Sequence, residues 1–140
     1  MKNFGVLNAV FVLCAMLCSC KKEAGDGGSS SIRGAVTKDV RIVLTNASTF
    51  QGSFPAADQE IYIVYGDNIS PDDRIRTNFA GEFEFMYLRP GKYKVYTYSK
   101  DTNSVAVEWD EDHMTILREV EIEEKRQEQD IGELKIYDTQ

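Results

Sequence analysis

The feature that most constrains this chain is "GEFEFMYLRPGKYKVYTYS", residues 81–99, where apolar and charged residues change places at every step. Phe83 and Phe85 alternate with Glu82 and Glu84, and Tyr93 and Val95 alternate with Lys92 and Lys94. A period of two belongs to strands that bury one face and wet the other. Between the two runs, Leu88-Arg89-Pro90-Gly91 has Pro and Gly in the order of a type II turn. Upstream, Asn78-Phe79-Ala80-Gly81 joins "DRIRT" to "GEFEF" as a short hairpin with Gly81 left-handed. The middle of the chain is thus expected to be a three-strand meander.

The rest reads the same way. "QEIYIVYG" is rich in β-branched and aromatic residues and suits a central strand covered on both faces. "SIRGAV" and "VRIVL" give one broken or two short strands near residue 32. From Met114 to Glu124, apolar Met114, Ile116, Val120 and Ile122 oppose Glu119, Glu121 and Glu123. Only Leu117-Arg118 interrupts, and a bulge is expected there. "KRQEQD" is a polar turn, and Ile131, Leu134 and Ile136 start the last strand. The expected fold is all-β, a Greek-key β-sandwich of about seven strands over residues 32–140, with long loops at 44–59 and 100–113.

The start of the chain has a different character. Lys2 precedes an apolar run from Phe4 to Leu17, the pattern of a secretory signal. The run falls short of the about 20 apolar residues of a membrane-spanning helix. All three cysteines, Cys14, Cys18 and Cys20, lie in seven residues, and none follows Cys20, so the mature chain has no disulfide partner for it.

Leu17-Cys18-Ser19-Cys20 resembles the lipobox of bacterial lipoproteins. The resemblance implies a signal peptide over residues 1–19, cleavage after Ser19 and diacylglyceryl attachment to the Cys20 thiol, with acylation of the new amine. Two or three acyl chains, at about 0.8 kcal/mol per buried methylene, make a stable membrane anchor. Lys21 after the cysteine, by resemblance to lipoprotein sorting signals, favours the outer membrane. Residues 20–31 are the lipidated cysteine and a Gly- and Ser-rich stretch expected to be a flexible tether, at most about 40 Å long when extended. Loss of Lys2 with the signal takes the formal charge from -7 to -8, which disfavours nucleic acid as a partner.

Three further stretches carry a family likeness. "GAV" at 34–36, "TNFAGEFEFMYLRPGKYKV" at 77–95 and "VEIEEKRQEQDIGELKI" at 120–136 resemble the carboxypeptidase regulatory-like domain, a prealbumin-like sandwich close to the Cna B-type repeats. The family's turn and core positions fall on Thr77, Gly81, Phe83, Leu88, Pro90, Gly91 and Tyr93. The resemblance implies a fold, not a chemistry. The lysine–asparagine cross-link of Cna B-type relatives is not expected, since "DIGELKIYD" has no asparagine.

Catalysis finds little support in the residues. His113 is the only histidine, the C-terminal "IYDTQ" lacks the tetrapeptide of transthyretin-like hydrolases, and no Gly-x-Ser-x-Gly elbow occurs. "EWDEDHM" and "GDNISPDD" are rich in oxygen ligands but lack calcium-loop spacing, so they read as solvated acidic loops. No metal and no cofactor are expected. Tyr62, Tyr96 and Tyr98 should project from the outer face of their strands, and with Trp109 they are the candidate surface for a sugar or a partner protein. The expected function is a non-catalytic, lipid-anchored binding or structural module of the bacterial envelope. The alternatives are a carbohydrate-binding accessory lipoprotein and a small hydrolase centred on His113.

Overall fold

The computed structural model describes residues 23–44, 47–100 and 113–139. Eight strands are β1 (Asp26–Leu44), β2 (Ala47–Pro55), β3 (Glu60–Tyr65), β4 (Asp73–Arg76), β5 (Glu82–Leu88), β6 (Gly91–Lys100), β7 (His113–Ile122) and β8 (Glu128–Thr139). They form two four-stranded sheets, a β-sandwich. In one, β1 pairs on one flank with β5 and then β2, both antiparallel, and on the other with β8 in parallel. The second sheet is antiparallel throughout, in the order β4-β3-β6-β7.

Alternation explains the core. Ile32, Val36, Phe83, Phe85, Leu88, Leu134 and Ile136 point inward from the first sheet, and Ile61, Ile63, Tyr93, Val95 and Ile122 from the second. Further along β6 the inward positions turn polar, and the hydroxyls there have partners. Thr97 Oγ1 donates to the Glu60 carbonyl at 2.8 Å, and Ser99 Oγ accepts the Tyr137 N–H at 2.8 Å. A buried hydroxyl without such bonds would cost on the order of 1–3 kcal/mol.

Several expectations need correction. The strand periods of residues 73–99 hold, but the meander does not: β4 pairs with β3, β5 with β1, and β6 with β3 and β7. Both connections cross from one sheet to the other. Asn78–Gly81 is indeed a tight turn, with the Gly81 N–H on the Asn78 carbonyl at 2.9 Å and Gly81 at φ 76. It changes sheets because the Gly81 carbonyl accepts the Val36 N–H at 2.7 Å, tying the start of β5 to β1. At Val36 β1 exchanges partners, since its carbonyl accepts from Ala56 at the end of β2. Pro90-Gly91 is likewise a crossing rather than a hairpin.

The first strand is single and longer than expected. It begins at Asp26, inside the stretch read as tether, where Ser30 and Ser31 are buried and Ala24 packs on the core. Glycine makes this docking possible, for a Cβ at Gly28 would stand 1.9 Å from the Leu88 carbonyl oxygen. The expected loop at 44–59 contains β2, which extends the sheet along the second half of β1. In β7 no bulge occurs at Leu117-Arg118, because its register with β6 runs unbroken from His113 to Ile122. Leu117 is simply an apolar residue on the outer face. β5 carries the bulge instead, spending one extra residue between Phe85 and Leu88 opposite Ile32 and Ser30, with Tyr87 at φ 61.

Candidate functional site

The outer face of the second sheet brings the predicted tyrosines together. The β3–β6 register sets Tyr62 opposite Tyr96, and the β6–β7 register sets Tyr96 opposite Leu117. On the other flank Arg74 of β4 faces Tyr62. One row across the sheet therefore reads Arg74, Tyr62, Tyr96, Leu117. Since period two returns β6 to the same face, Tyr98 stands next to that row.

The rings are mutually packed. Tyr62 and Tyr96 stack with centroids 5.2 Å apart and planes 15° from parallel. Tyr98 meets both edge-on, with centroids 5.6 Å from each. Such geometries match the negative face and positive edge of an aromatic ring, at about 0.5–1.5 kcal/mol a pair beyond area burial. Tyr62 and Tyr96 are half-buried, whereas Tyr98 and Leu117 are 41% and 43% exposed. The cluster thus offers its Tyr98 and Leu117 side to solvent.

Charged groups border the rings. Glu60 accepts the Tyr62 hydroxyl at 2.6 Å and an Arg76 guanidinium N–H at 3.0 Å, and Arg76 also forks onto Asp58 at 3.0 and 3.1 Å. The Tyr62 hydroxyl, then Arg76, hold the Glu60 carboxyl below its ordinary range. The same carboxylate raises Tyr62. Burial, followed by the Tyr98 hydroxyl, raises Tyr96. At neutral pH the face therefore carries neutral phenols beside an ionised, arginine-paired glutamate.

Next to Tyr98 an open cleft of about 530 Å³ is lined by His113, Lys100, Lys38, Asp138 and Glu60, among others. Asp138 bridges both lysines, at 2.8 Å to Lys100 and 3.3 Å to Lys38. Burial raises the Asp138 carboxyl, but the two ammonium groups outweigh it and the net shift is downward. His113 sits edge-on to Tyr98, centroids 6.4 Å apart. Among the described lining residues there is no serine, threonine or cysteine. A second, larger hollow of about 780 Å³ lies between Arg33, Phe83, Glu84 and Asp130.

Trp109 and the acids of "EWDED" lie outside the described residues. In "GDNISPDD" the two oxygens of Asp72 accept from Asn68 Nδ2 at 2.8 Å and the Tyr65 N–H at 2.7 Å, so this carboxylate braces its own loop. Among the described residues no three acidic, histidine or cysteine side chains converge as a metal site would need. Glu60, Arg74 and Leu117 were not singled out from the sequence. Strand parity could have placed them on this face, but their neighbours depend on a register that only pairing supplies. No family model and no curated protein matches the chain.

Proposed function

We propose that the protein is a lipoprotein of the bacterial envelope, anchored through Cys20, whose sandwich is a non-catalytic binding module with the Tyr62–Tyr96–Tyr98 face as its contact surface. The observation that carries this reading is the convergence of three tyrosines, Leu117 and Arg74 on one sheet face. Tyrosine and arginine are the residues in which binding energy concentrates, because each joins a large apolar surface to a polar tip. The anchor is supported by the lipobox-like Leu17-Cys18-Ser19-Cys20 behind a signal-like apolar run. The outer membrane is the expected destination. The resemblance to carboxypeptidase regulatory-like domains agrees with the two-sheet architecture and adds no chemistry.

A glycan is the second reading of what the face binds. The Tyr98 ring beside the Glu60–Arg76 pair combines an apolar face with directional polar groups, as sugar recognition requires. Among its described lining residues the cleft at His113 has no serine, threonine or cysteine for the imidazole to activate, which favours the non-catalytic reading over a small hydrolase of the Ser–His or Cys–His kind.

Two experiments test the proposal. Labelled palmitate should enter the wild-type chain and fail to enter Cys20→Ala. Binding of the detergent-solubilised protein to envelope proteins or to a glycan array should fall at least tenfold in Tyr96→Ala and Tyr98→Ala and survive Phe79→Ala at a distant turn. Loss of binding in all three alike would reject the tyrosine face.

A further inference from the structure

The described chain enters the sandwich at one pole, and three segments meet there. Gly25 is buried, its N–H donating to the Tyr93 hydroxyl at 3.0 Å and its carbonyl accepting the Arg89 N–H at 2.9 Å. Tyr65, the last residue of β3, lies against Gly25 and donates its hydroxyl to Asp26 at 2.8 Å. From Tyr65 the chain passes straight into the 66–72 loop, and the β5 bulge ends at Leu88, opposite Asp26. Chain entry, loop and bulge therefore share one end of the molecule.

That end presents apolar groups to water. Ile69, at the tip of the 66–72 loop, is 99% exposed, although the loop is firmly tied. The Asn68 N–H donates to the Tyr65 carbonyl at 3.2 Å, the Asp72 N–H to the Ile63 carbonyl at 2.9 Å, and Asn68 Nδ2 to the Asp72 carboxylate at 2.8 Å. A loop fastened at both feet displays its isoleucine in one place. Tyr87 is 69% exposed and Met86 beside it is also exposed. Tyr87 adopts φ 61, a left-handed conformation uncommon for a bulky residue.

Chain length then fixes what can lie against this pole. Five peptide steps separate Cys20 from Gly25, and they reach at most about 18 Å. A domain of this size has a radius of gyration near 13 Å, so its diameter exceeds that reach. The turn that carries Phe79, itself 96% exposed, lies at the far end of β5, about 20 Å away. Acyl chains on Cys20 thus hold the Gly25 pole, and not the Phe79 pole, at the bilayer.

We infer that the Ile69 loop and the Met86-Tyr87 bulge form a membrane-contact surface resting on the headgroup layer of the bilayer that holds Cys20. This rests on the lipid-anchor reading above. Aliphatic and tyrosine side chains suit that layer, one end of each phenol being apolar and the other wet. Cations Arg89, Lys92, Lys125 and Arg126 and acids Asp26, Asp67, Asp72, Glu123 and Glu124 lie around the same pole, a mixture of both signs that suits zwitterionic headgroups better than a strongly anionic surface.

The test uses the full acylated chain with a nitrobenzoxadiazole label at Ile69→Cys or, separately, at Phe79→Cys. Each is reconstituted into vesicles of phosphatidylethanolamine and phosphatidylcholine with brominated acyl chains. Both proteins should float with the vesicles, and the label at 69 should be blue-shifted and quenched at least threefold more than the label at 79. Equal quenching with flotation intact overturns the contact surface and leaves the anchor standing. Protein that stays at the bottom of the gradient overturns the anchor, and this inference with it.

Discussion

The Tyr93 hydroxyl reaches a segment 68 residues upstream, accepting the Gly25 N–H at 3.0 Å while donating to the Arg89 carbonyl at 2.6 Å. The ring is buried, so both backbone groups would lack a partner if the oxygen were removed. Tyr93→Phe is expected to cost about 1–3 kcal/mol, read as a lower urea midpoint. Amide exchange should accelerate at Gly25 more than in the interior of β6. An unchanged Gly25 amide would show that another group holds this segment.

Backbone proximity at Gly28 gives a sharper expectation. A Cβ there would stand 1.9 Å from the Leu88 oxygen, so Gly28→Ala should separate β1 from β5 and cost more than about 2 kcal/mol. Gly66→Ala is the control, because nothing lies within 4 Å of its Cβ position and only its φ of 56 opposes the change. That cost should be about 1 kcal/mol. Thermal melts of the two variants should differ in this order.

The packed rings should contribute to stability as well as to binding. Tyr96→Ala removes a stacked and an edge-on partner at once, and with its lost buried area should cost about 2–3 kcal/mol. Tyr98→Ala, at a more exposed position, should cost about 1 kcal/mol. Chemical denaturation measures both, and equal losses would contradict the nesting of Tyr96 between its neighbours.

Acid should reveal the Asp138 bridge. Its carboxyl titrates below the ordinary value in the folded chain because the Lys100 and Lys38 ammonium groups outweigh the effect of burial. The stabilisation is therefore complete above the unfolded value of about 3.9 and is lost as pH falls through the lower folded one. Asp138→Asn should lower the urea midpoint at pH 6, with the two proteins converging only as pH falls below the depressed folded value. The gap should be modest, since solvent screens this bridge.

Strand periods were legible in the sequence and sheet membership was not. Phe83 and Phe85, Tyr93 and Val95, and Ile61 and Ile63 face inward as their alternation requires. Yet "FAGEF" and "RPGKY" look like hairpin turns and act as crossings between sheets, because a local turn signal does not state which strand the chain meets next. The Gly- and Ser-rich residues 26–31 read as coil by composition. They are strand because Gly28 can lie flush on the Leu88 backbone, a tertiary contact that composition does not encode. The outward tyrosines were readable from parity alone, whereas the stack of Tyr62 on Tyr96 required the register of β3 with β6.

The parallel pairing of β1 with β8 bears on how the protein is made. Ten positions of β1, from Ser31 to Arg41, take their neighbours from the last strand. A ribosome releases the N-terminal strand long before its C-terminal companion exists, so during synthesis one whole side of that strand stays unmatched. The body can therefore mature only after Glu128–Thr139 has emerged, and until then the nascent polypeptide stays loose along that edge.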